Sequence, residues 1–548
     1  MENILAVYQN NRLLVLAGLV LVVVILISWL KRDGRLDSIR GPKGRYPVIG
    51  IGLSLPPSSP SIFRQWAAEY GEVFKIKVGW YHWIVVNTPE AMREIFDKQS
   101  LHTSSKPPAP IGDDIVMGGL RMFTMPYGPK WRTYRAIVHQ LVSPKMTETF
   151  IPTQEYETKQ LLYELAFKND NQRDFYFHTR RFSFSIIMTS SYGTRINRWD
   201  HEDVLYAMKS AKLIGQVSRA GAFVEDELPP LARLPTWLQP SRKKAVEYSK
   251  PILEAKMRLW NRLKKQLVAG QAPTCYGREI MESDYQARGL TDADGAWIAG
   301  GIVEAGSETS SVTMNNLILQ LAANPKVQQR AHEELMRVVG PNRTPTFTDV
   351  SKLSYIRAIV KEILRFCPVP IWGIKHYADA DIVYKSHVIP KGTVLLANPS
   401  AIHFDPERYD EPFRFKPERY LDHPLYSADY AAQSDPYKRD HFTFGVGRRI
   451  CPGARLAENT LTIALSNILW AFEIRPPMVD GAEAMGMDVS EHAWDDTAFR
   501  PPKPFAARFV PRNENTLAIV KEQWEKAMQE GYVLRGMTVD VNGIVNKR

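Results

Sequence analysis

Helical hydrophobic periodicity runs through most of the chain beyond residue 47. Apolar side chains recur at three- and four-residue spacings, as on one face of a helix, in the stretches 134–148, 242–268, 292–323, 325–339, 352–366 and 453–471. Short runs rich in β-branched and aromatic residues indicate strands at Val73–Val78, His82–Val86 and Thr393–Ala397. No internal repeat or low-complexity linker interrupts this region. The pattern predicts one large, mostly α domain with a minor β region.

A continuous apolar stretch, residues 13–30, lies near the amino terminus and contains no charged residue. As a helix rising about 1.5 Å per residue, it would be about 27 Å long, close to the thickness of the hydrocarbon core of a bilayer. A cleaved signal peptide has a shorter apolar region of about 7–15 residues and a small-residue cleavage site, which this sequence lacks. The stretch therefore predicts a retained transmembrane anchor.

Basic residues are concentrated on the carboxyl side of this anchor. Only Arg12 precedes it, whereas Lys31, Arg32, Arg35, Arg40, Lys43 and Arg45 follow it. Because flanks rich in Lys and Arg stay in the cytosol, we expect residues 1–12 to be lumenal and the main domain to be cytosolic. Prolines and glycines in the basic segment 31–47 predict a stiff hinge between the anchor and the domain.

Charge and cysteine content narrow the possible functions. Lys and Arg number 70 and Asp and Glu 59, which gives a net charge of +11. No dense basic tract with interleaved aromatic residues is present, so nucleic acid is not an expected partner. The cysteines Cys275, Cys367 and Cys451 lie far apart and form no CxxC pair, which argues against a disulfide framework or a zinc site. Each cysteine must be interpreted from its own neighbours.

The neighbours of Cys451 are the most informative in the chain. Residues 444–453 read FGVGRRICPG, and their glycines permit a tight turn ahead of an apolar helix. Pro452 suits the first position of that helix, which would place the sulfur at a helix amino terminus beside Arg448 and Arg449. Both features are expected to lower the pKa of the thiol and favour a metal-binding thiolate, while Phe444 shields it from water.

This stretch resembles the haem-binding segment of the cytochrome P450 family, Phe-x-x-Gly-x-Arg-x-Cys-x-Gly. The fixed positions are met by Phe444, Gly447, Arg449, Cys451 and Gly453. The resemblance implies the cytochrome P450 fold over residues 48–512, followed by a carboxyl-terminal extension, 513–548. It also implies haem b, with Cys451 as the axial ligand of the iron.

The family has a Glu-x-x-Arg motif before the cysteine, and this chain offers Glu334-x-x-Arg337 and Glu362-x-x-Arg365. The second precedes a helix stop at Cys367-Pro368 and a strand-like segment, as in the family, so we select it; Cys367 is then a packing residue. Two Pro-Glu-Arg-Tyr elements also occur, and the one at residues 417–420 fits the family better. The resemblance then implies a buried ion-paired network of Glu362, Arg365 and Arg419.

The resemblance also implies partners for the two haem propionates. Trp131-x-x-x-Arg135 matches a family motif that brings indole and guanidinium to the same helix face. Arg449 and His376 are suggested by their positions, two residues before the cysteine and after Pro370 respectively, because guanidinium and imidazole groups pair readily with carboxylates.

The helix predicted at 292–323 carries the segment expected to activate oxygen. Thr291 and Asp294 form a capping box at its start. Mid-helix glycines are costly, so Gly300, Gly301 and Gly306 indicate either close helix packing or close approach of a flat macrocycle, and we favour the macrocycle. Residues 305–309, AGSET, resemble the oxygen-binding segment of the family, which implies that Thr309 and Glu308 assist oxygen activation and proton delivery.

No dinucleotide-binding motif follows a strand, so NADPH is expected to act only through a partner. The resemblance implies a membrane-bound flavoprotein reductase, with cytochrome b5 as a further donor and the endoplasmic reticulum membrane as the location. The acidic face of the reductase would meet basic residues near the cysteine loop: Lys130, Arg132 and Arg448.

The distal pocket is expected among residues 105–125, 302–306, 369–373 and 497–499. Apolar side chains in these segments, Met117, Met122, Phe123 and Trp372, suit a small apolar or aromatic substrate, although each could equally be ordinary core. The chain is most similar to filamentous-fungal family members that oxidise polyketide-derived phenols and other secondary metabolites. Two alternatives to a monooxygenase stay open: a haem-thiolate isomerase or dehydratase, and a non-catalytic membrane haem-binding protein.

Overall fold

The computed structural model of the chain describes residues 33–44, 50–51, 60–219, 221–495, 497 and 499–543, and the backbone of 545–547. The predicted anchor, residues 13–30, lies outside the described residues. No helix within the described part is both long enough and apolar enough to cross a membrane.

Helices form most of the described chain. The α-helices, in chain order, are α1 Pro60–Tyr70, α2 Pro89–Met92, α3 Ser100–Thr103, α4 Pro129–Leu141, α5 Pro144–Glu148, α6 Ile151–Phe167, α7 Phe175–Tyr192, α8 Glu202–Val217, α9 Val224–Glu227, α10 Arg242–Val268, α11 Tyr276–Glu282, α12 Asp292–Ala323, α13 Pro325–Val338, α14 Phe347–Val350, α15 Ser354–Phe366, α16 Pro399–His403, α17 Ser427–Ala431, α18 Ala454–Ala471 and α19 Glu514–Glu530. Shorter helical turns lie at Gly34–Ser38, Arg93–Lys98, Gly112–Val116, Pro229–Arg233, Thr236–Leu238, Pro417–Tyr420, Pro436–Lys438, Gly447–Arg449 and Glu491–Ala493.

The strands are short and belong to small sheets. They are β1 Val73–Val78, β2 Tyr81–Val86, β3 His376–Tyr377, β4 Ile382–Tyr384, β5 His387–Ile389, β6 Val394–Ala397, β7 Phe472–Arg475, β8 Met478–Val479, β9 Ala482–Glu483, β10 Arg508–Pro511, β11 Tyr532–Leu534, β12 Met537–Val539 and β13 Val545–Lys547. The mostly α class with minor sheet is as the sequence predicts.

Two of the long helices have the bounds predicted from the sequence, whereas one predicted helix is divided in two at a proline. Helices α10 and α12 begin and end at the predicted residues. The stretch 134–148 instead forms two helices, because Pro144 has no N–H to continue the first and begins the second. Helices α6 and α7 were missed, since they are buried on many sides and show little amphipathic contrast.

Helix α12 is the central element and packs against both α7 and α10. Its glycines make this approach possible. A Cβ added at Gly300 would lie 2.6 Å from Cδ of Lys256 on α10, and one at Gly306 would lie 2.8 Å from Cδ1 of Ile187 on α7. The favoured explanation of these two glycines, approach of a macrocycle, is therefore wrong; they serve helix packing. A Cβ at Gly301 would meet nothing within 4 Å.

The four-stranded sheet, in the order β1-β2-β6-β3, positions one side of the site. Its cross-strand register aligns Ile84, Leu395 and His376 in one row. The ring of His376 lies 4.9 Å from that of Phe96, edge to face. Residues 93–98 thus connect the sheet with the cysteine loop, since the carbonyl of Phe96 also contacts Gly447.

The carboxyl-terminal extension folds back onto α6 through α19 and β11. A buried ion cluster lies beneath it. Glu157 on α6 accepts hydrogen bonds from Nη1 of Arg181 at 2.5 Å and from Nε of Arg195 at 2.8 Å. Arg195 also donates to the carbonyl of Val541 and lies over the ring of Tyr156. Glu157 therefore bridges two buried guanidinium groups, of which Arg181 also pairs with Glu164 at 2.7 Å, and the cluster links the extension to the domain.

Replacing Glu157 by Gln should loosen this extension. The substitution removes the carboxylate that pairs with buried Arg195, while Arg181 keeps its pair with Glu164, and breaking a buried pair costs about 3–5 kcal/mol. We expect a lower midpoint of urea unfolding and faster proteolytic cleavage between residues 513 and 543. Glu525→Gln, which removes the exposed pair with Lys521 on α19, should change neither measurement. Equal behaviour of the two variants would contradict the proposed link.

Candidate haem site

The cysteine loop is a tight turn anchored at both sides. Gly447 has a φ of 61°, and a Cβ at this position would lie 2.4 Å from the carbonyl oxygen of Phe96, so only glycine fits. Its N–H donates to Oδ1 of Asp97 at 2.9 Å. The N–H of Cys451 donates to the carbonyl of Phe444 at 2.7 Å, closing the loop. The Cys451 side chain is exposed, whereas Cys275 and Cys367 are buried.

Two expectations about the Cys451 thiol are wrong. Desolvation by the surrounding protein raises its pKa although the side chain has accessible surface, so that surface borders the protein interior and not bulk water. The N–H of Gly453 and the guanidinium of Arg135, rather than Arg448 or Arg449, oppose the rise. Arg448 points instead to Ser100 and Tyr127. Helix α18 begins at Ala454 with Gly453 as its cap, so Pro452 precedes the helix. A bound haem iron would therefore supply the main stabilisation of the thiolate, as a coordinated metal does.

Four cationic or basic side chains from different segments gather beside this loop. Arg449 donates to the carbonyls of Ser104, Met122 and Met125, and Nη2 of Arg135 donates to the carbonyl of Ile450 at 2.7 Å. Nδ1 of His376 donates to the carbonyl of Thr103 at 2.7 Å, and Nζ of Lys106 donates to the carbonyl of Lys375 at 2.7 Å. Among the described residues, their bonded acceptors are thus backbone carbonyls, not carboxylates.

Burial lowers the pKa of each of these groups, Lys106, Arg135, His376 and Arg449. Such a shift shows that the protein alone does not compensate their charge. The indole Nε1 of Trp131 is also buried without an acceptor, and its ring lies 4.2 Å from the guanidinium carbon of Arg449. Buried cations without a counter-charge, an indole N–H without an acceptor and a cysteine with accessible surface fit a haem, whose two propionates would supply negative charge and whose iron would bind the sulfur.

Lys106 was not selected from the sequence. A single lysine within a loop belongs to no motif, and only the fold shows that its ammonium group is buried beside Arg449 and His376. By contrast, the structure brings together all four residues that the sequence assigned to the propionates: Trp131, Arg135, His376 and Arg449.

The network selected from the Glu-x-x-Arg motif is present on α15. Glu362 accepts two hydrogen bonds from Arg365, at 2.7 and 2.8 Å, and one from Nε of Arg419 at 3.3 Å. Arg365 also donates to the carbonyl of Pro412 at 3.0 Å. The rejected candidate, Glu334, is buried as well, but it caps the amino terminus of α15 through the N–H groups of Tyr355 and Ile356.

One face of α12 stays open within an otherwise buried helix. Ala305 and Glu308 are exposed, and Gly301 and Thr309 are partly so, which places them on one side at helical spacing. The hydroxyl of Thr309 donates to the carbonyl of Ala305 at 2.7 Å. Burial in its surroundings raises the pKa of Glu308, opposed by the charge of Arg180.

The residues expected to line the substrate pocket separate into two groups. Met117 is buried in a cluster with Val116 and Val217, and the ring of Trp372 lies 4.4 Å from that of Phe63. Met117 is therefore a core residue, and Trp372 is partly buried and packs against a core cluster, so the contacts of both match the core alternative. Phe123 is 43% exposed and lies under the guanidinium of Arg121, while Met122 is partly buried.

The basic residues expected to contact a reductase differ in whether their charge is already paired within the protein. Arg132 and Arg448 are exposed and lie 5.7 and 5.4 Å from the ring of Tyr127. Lys130 forms an ion pair with Asp294 at 2.8 Å, so part of its charge is already compensated.

Comparisons with known proteins show the family of this chain. The cytochrome P450 family model matches residues 39–489. The chain belongs to the cytochrome P450 family. It is 55% identical over 539 residues to the cytochrome P450 monooxygenase pgmC of Aspergillus terreus, covering 98% of both chains. It is 36% identical over 522 residues to the cytochrome P450 monooxygenase verL of Clonostachys rogersoniana, covering 94% of both.

Solved structures show the same fold at lower identity. A zebra fish cytochrome P450 with progesterone matches with a TM-score of 0.68 and 24% identity, covering 83% of this chain and 100% of the other. Family, fold and cofactor are thus confirmed: the protein is a cytochrome P450 monooxygenase that holds haem b through a thiolate and receives electrons from a reductase.

In this cytochrome P450, Glu362→Gln should abolish stable haem incorporation. The change leaves the side chains of Arg365 and Arg419 without their counter-charge at a cost of about 3–5 kcal/mol, enough to loosen the segment that supports the cysteine loop. The ratio of Soret to protein absorbance after purification measures the effect. Glu411→Gln removes exposed pairs with Arg414 and Lys416 and should retain full haem content. Full haem content in Glu362→Gln would show that the network is dispensable.

Proposed function

We propose that this monooxygenase oxidises a small apolar or aromatic molecule, such as a polyketide-derived phenol of fungal secondary metabolism. The observation that carries the proposal is the open face of α12, where an alanine and a glycine leave room beside an acid and an alcohol. Ile302 and Phe123 add apolar surface near that face, since both are incompletely buried. The similarity to fungal monooxygenases supports the same substrate class.

Each site residue has a role in this proposal that follows from its chemistry. Cys451 would hold the iron, and the propionates would be held by charge and hydrogen bonding from Lys106, Arg135, His376, Arg449 and Trp131. When bound, haem supplies the reductive activation of dioxygen. Phe444 covers the cysteine loop, and Glu362, Arg365 and Arg419 keep that loop in place.

Glu308 and Thr309 are proposed to deliver protons. Because burial raises the pKa of Glu308, its carboxyl binds a proton more readily than an ordinary glutamate near neutral pH. The Thr309 hydroxyl already donates to Ala305 within the helix, which leaves its oxygen free to accept a hydrogen bond on the open face. An isomerase or dehydratase has no need of this acid and alcohol, so the pair favours monooxygenation.

Thr309→Ala and Glu308→Gln should uncouple electron consumption from product formation. With the flavoprotein reductase, NADPH and a phenol chosen by its Soret shift, we expect product per NADPH to fall about tenfold, because proton transfer by positioned side chains contributes about 10²–10⁴-fold. Hydrogen peroxide should rise correspondingly. Thr313→Ala removes a similar intrahelical hydroxyl bond, to Thr309, and is the matched control. Product formed without NADPH, or lacking oxygen from labelled dioxygen, would establish isomerisation or dehydration instead.

Cys451→Ser should eliminate the red-shifted absorption of the ferrous carbon monoxide complex, because a serine hydroxyl does not provide the electron-rich thiolate ligand. Cys367→Ala, a change at a buried cysteine, should retain that absorption. If Cys451→Ser kept the thiolate spectrum, another residue would have to be the axial ligand.

A further inference from the structure

The loop of residues 109–122 is held at both ends by carboxylates from other segments. At one end, Asp226 accepts the N–H groups of Ile111 and Gly112 at 2.8 and 2.9 Å. At the other end, Arg121 reaches across to Glu304 on α12. The loop therefore lies tied between residues 223–228 and the helix that carries the open face.

The second tie is a three-residue ion cluster. Oε1 of Glu304 accepts from Nε of Arg121 at 2.9 Å and from Nη2 at 2.5 Å. Oε2 accepts from Nζ of Lys256 on α10 at 3.0 Å, and the same ammonium group donates to the carbonyl of Gly300 at 2.9 Å. Although burial opposes ionisation, these two cations hold the pKa of Glu304 at about 2, so the carboxylate is charged at neutral pH.

Neighbouring residues leave space for this cluster and contact it. Gly300 leaves the space that the Lys256 side chain occupies, and the Lys256 ammonium lies 5.2 Å from the ring of Trp297. The Arg121 guanidinium lies 4.9 Å from the ring of Phe123. The cluster thus joins the loop, α10 and α12 at one point, and Glu304 directly precedes Ala305 on the open face.

We propose that Arg121, Glu304 and Lys256 form a clasp that closes the 109–122 loop beside the open face of α12 and controls the rate at which bulky ligands reach the haem. Charge-assisted hydrogen bonds within a partly buried cluster are strong, so the loop opens only when the two bonds from Arg121 break together. Small ligands pass without opening. The three residues act by positioning the loop, and none of them needs to touch the reacting atoms.

The test compares two neutral ligands of the haem iron that differ in size, imidazole and 1-phenylimidazole, at pH 8. Full-length, haem-loaded protein is mixed with each ligand in a stopped-flow instrument, and the Soret shift gives the association rate. In Glu304→Gln we expect association of 1-phenylimidazole to be about tenfold faster, which corresponds to a barrier about 1.4 kcal/mol lower, and the rate for imidazole to be unchanged.

A matched control breaks another ion pair between the same two helices. Nζ of Lys264 on α10 lies 2.6 Å from Oδ2 of Asp292 on α12, away from the loop. Lys264→Gln should leave both association rates unchanged.

Unchanged association of 1-phenylimidazole in Glu304→Gln, or equal acceleration of both ligands, would overturn the clasp. If Glu304→Gln does not retain haem, Arg121→Lys provides the test instead. This variant keeps the positive charge but loses the two hydrogen bonds to Glu304, and an unchanged association rate of 1-phenylimidazole would overturn the proposal. These outcomes are independent of the proposed function, because Thr309→Ala and Glu308→Gln act on coupling and not on ligand entry.

Discussion

Uncompensated positive charge in the interior is the constraint on which the haem side of this protein depends. Lys106, Arg135 and Arg449 place cationic groups in surroundings that lower their pKa values, and their N–H groups are bonded to carbonyls that carry no net charge. Burying unpaired charge costs several kcal/mol per ion. In this region two haem propionates would provide the missing charge, so binding of haem and folding of these loops would be thermodynamically linked.

On the other side of the cysteine loop, the buried charges are paired within the protein. There Glu362 compensates Arg365 and Arg419, and Lys361 pairs with Asp440 at 2.7 Å, so buried charges are balanced within the protein. A balanced network is rigid, because any displacement exposes charge without a partner. On one side of the cysteine loop the buried charges are balanced within the protein, and on the other side they are balanced only when haem is bound. This arrangement favours a fixed position for the sulfur.

Features formed by residues that are close together in the sequence could be predicted, whereas features formed by residues far apart in the sequence could not. Residues 444–453 and the capping box of α12 are local in sequence, so their patterns could be read directly. The pair Arg121–Glu304 joins residues 183 positions apart, and Lys106 acquires its role only from neighbours brought together by the fold. Trp372 illustrates the same limit from the other direction: its apolar side chain suits a pocket or a core, and only packing against Phe63 decides.

Helix α12 shows how one element serves both packing and chemistry. Gly300 and Gly306 admit α10 and α7 so closely that these sides of the helix have no space for a ligand. The remaining side, with Ala305 and Glu308, stays open because its small residues are not needed for helix contacts. Tight packing on the buried sides holds the axis of α12 in place, and a fixed axis would keep the oxygens of Thr309 and Glu308 in a constant position for the proton delivery proposed above.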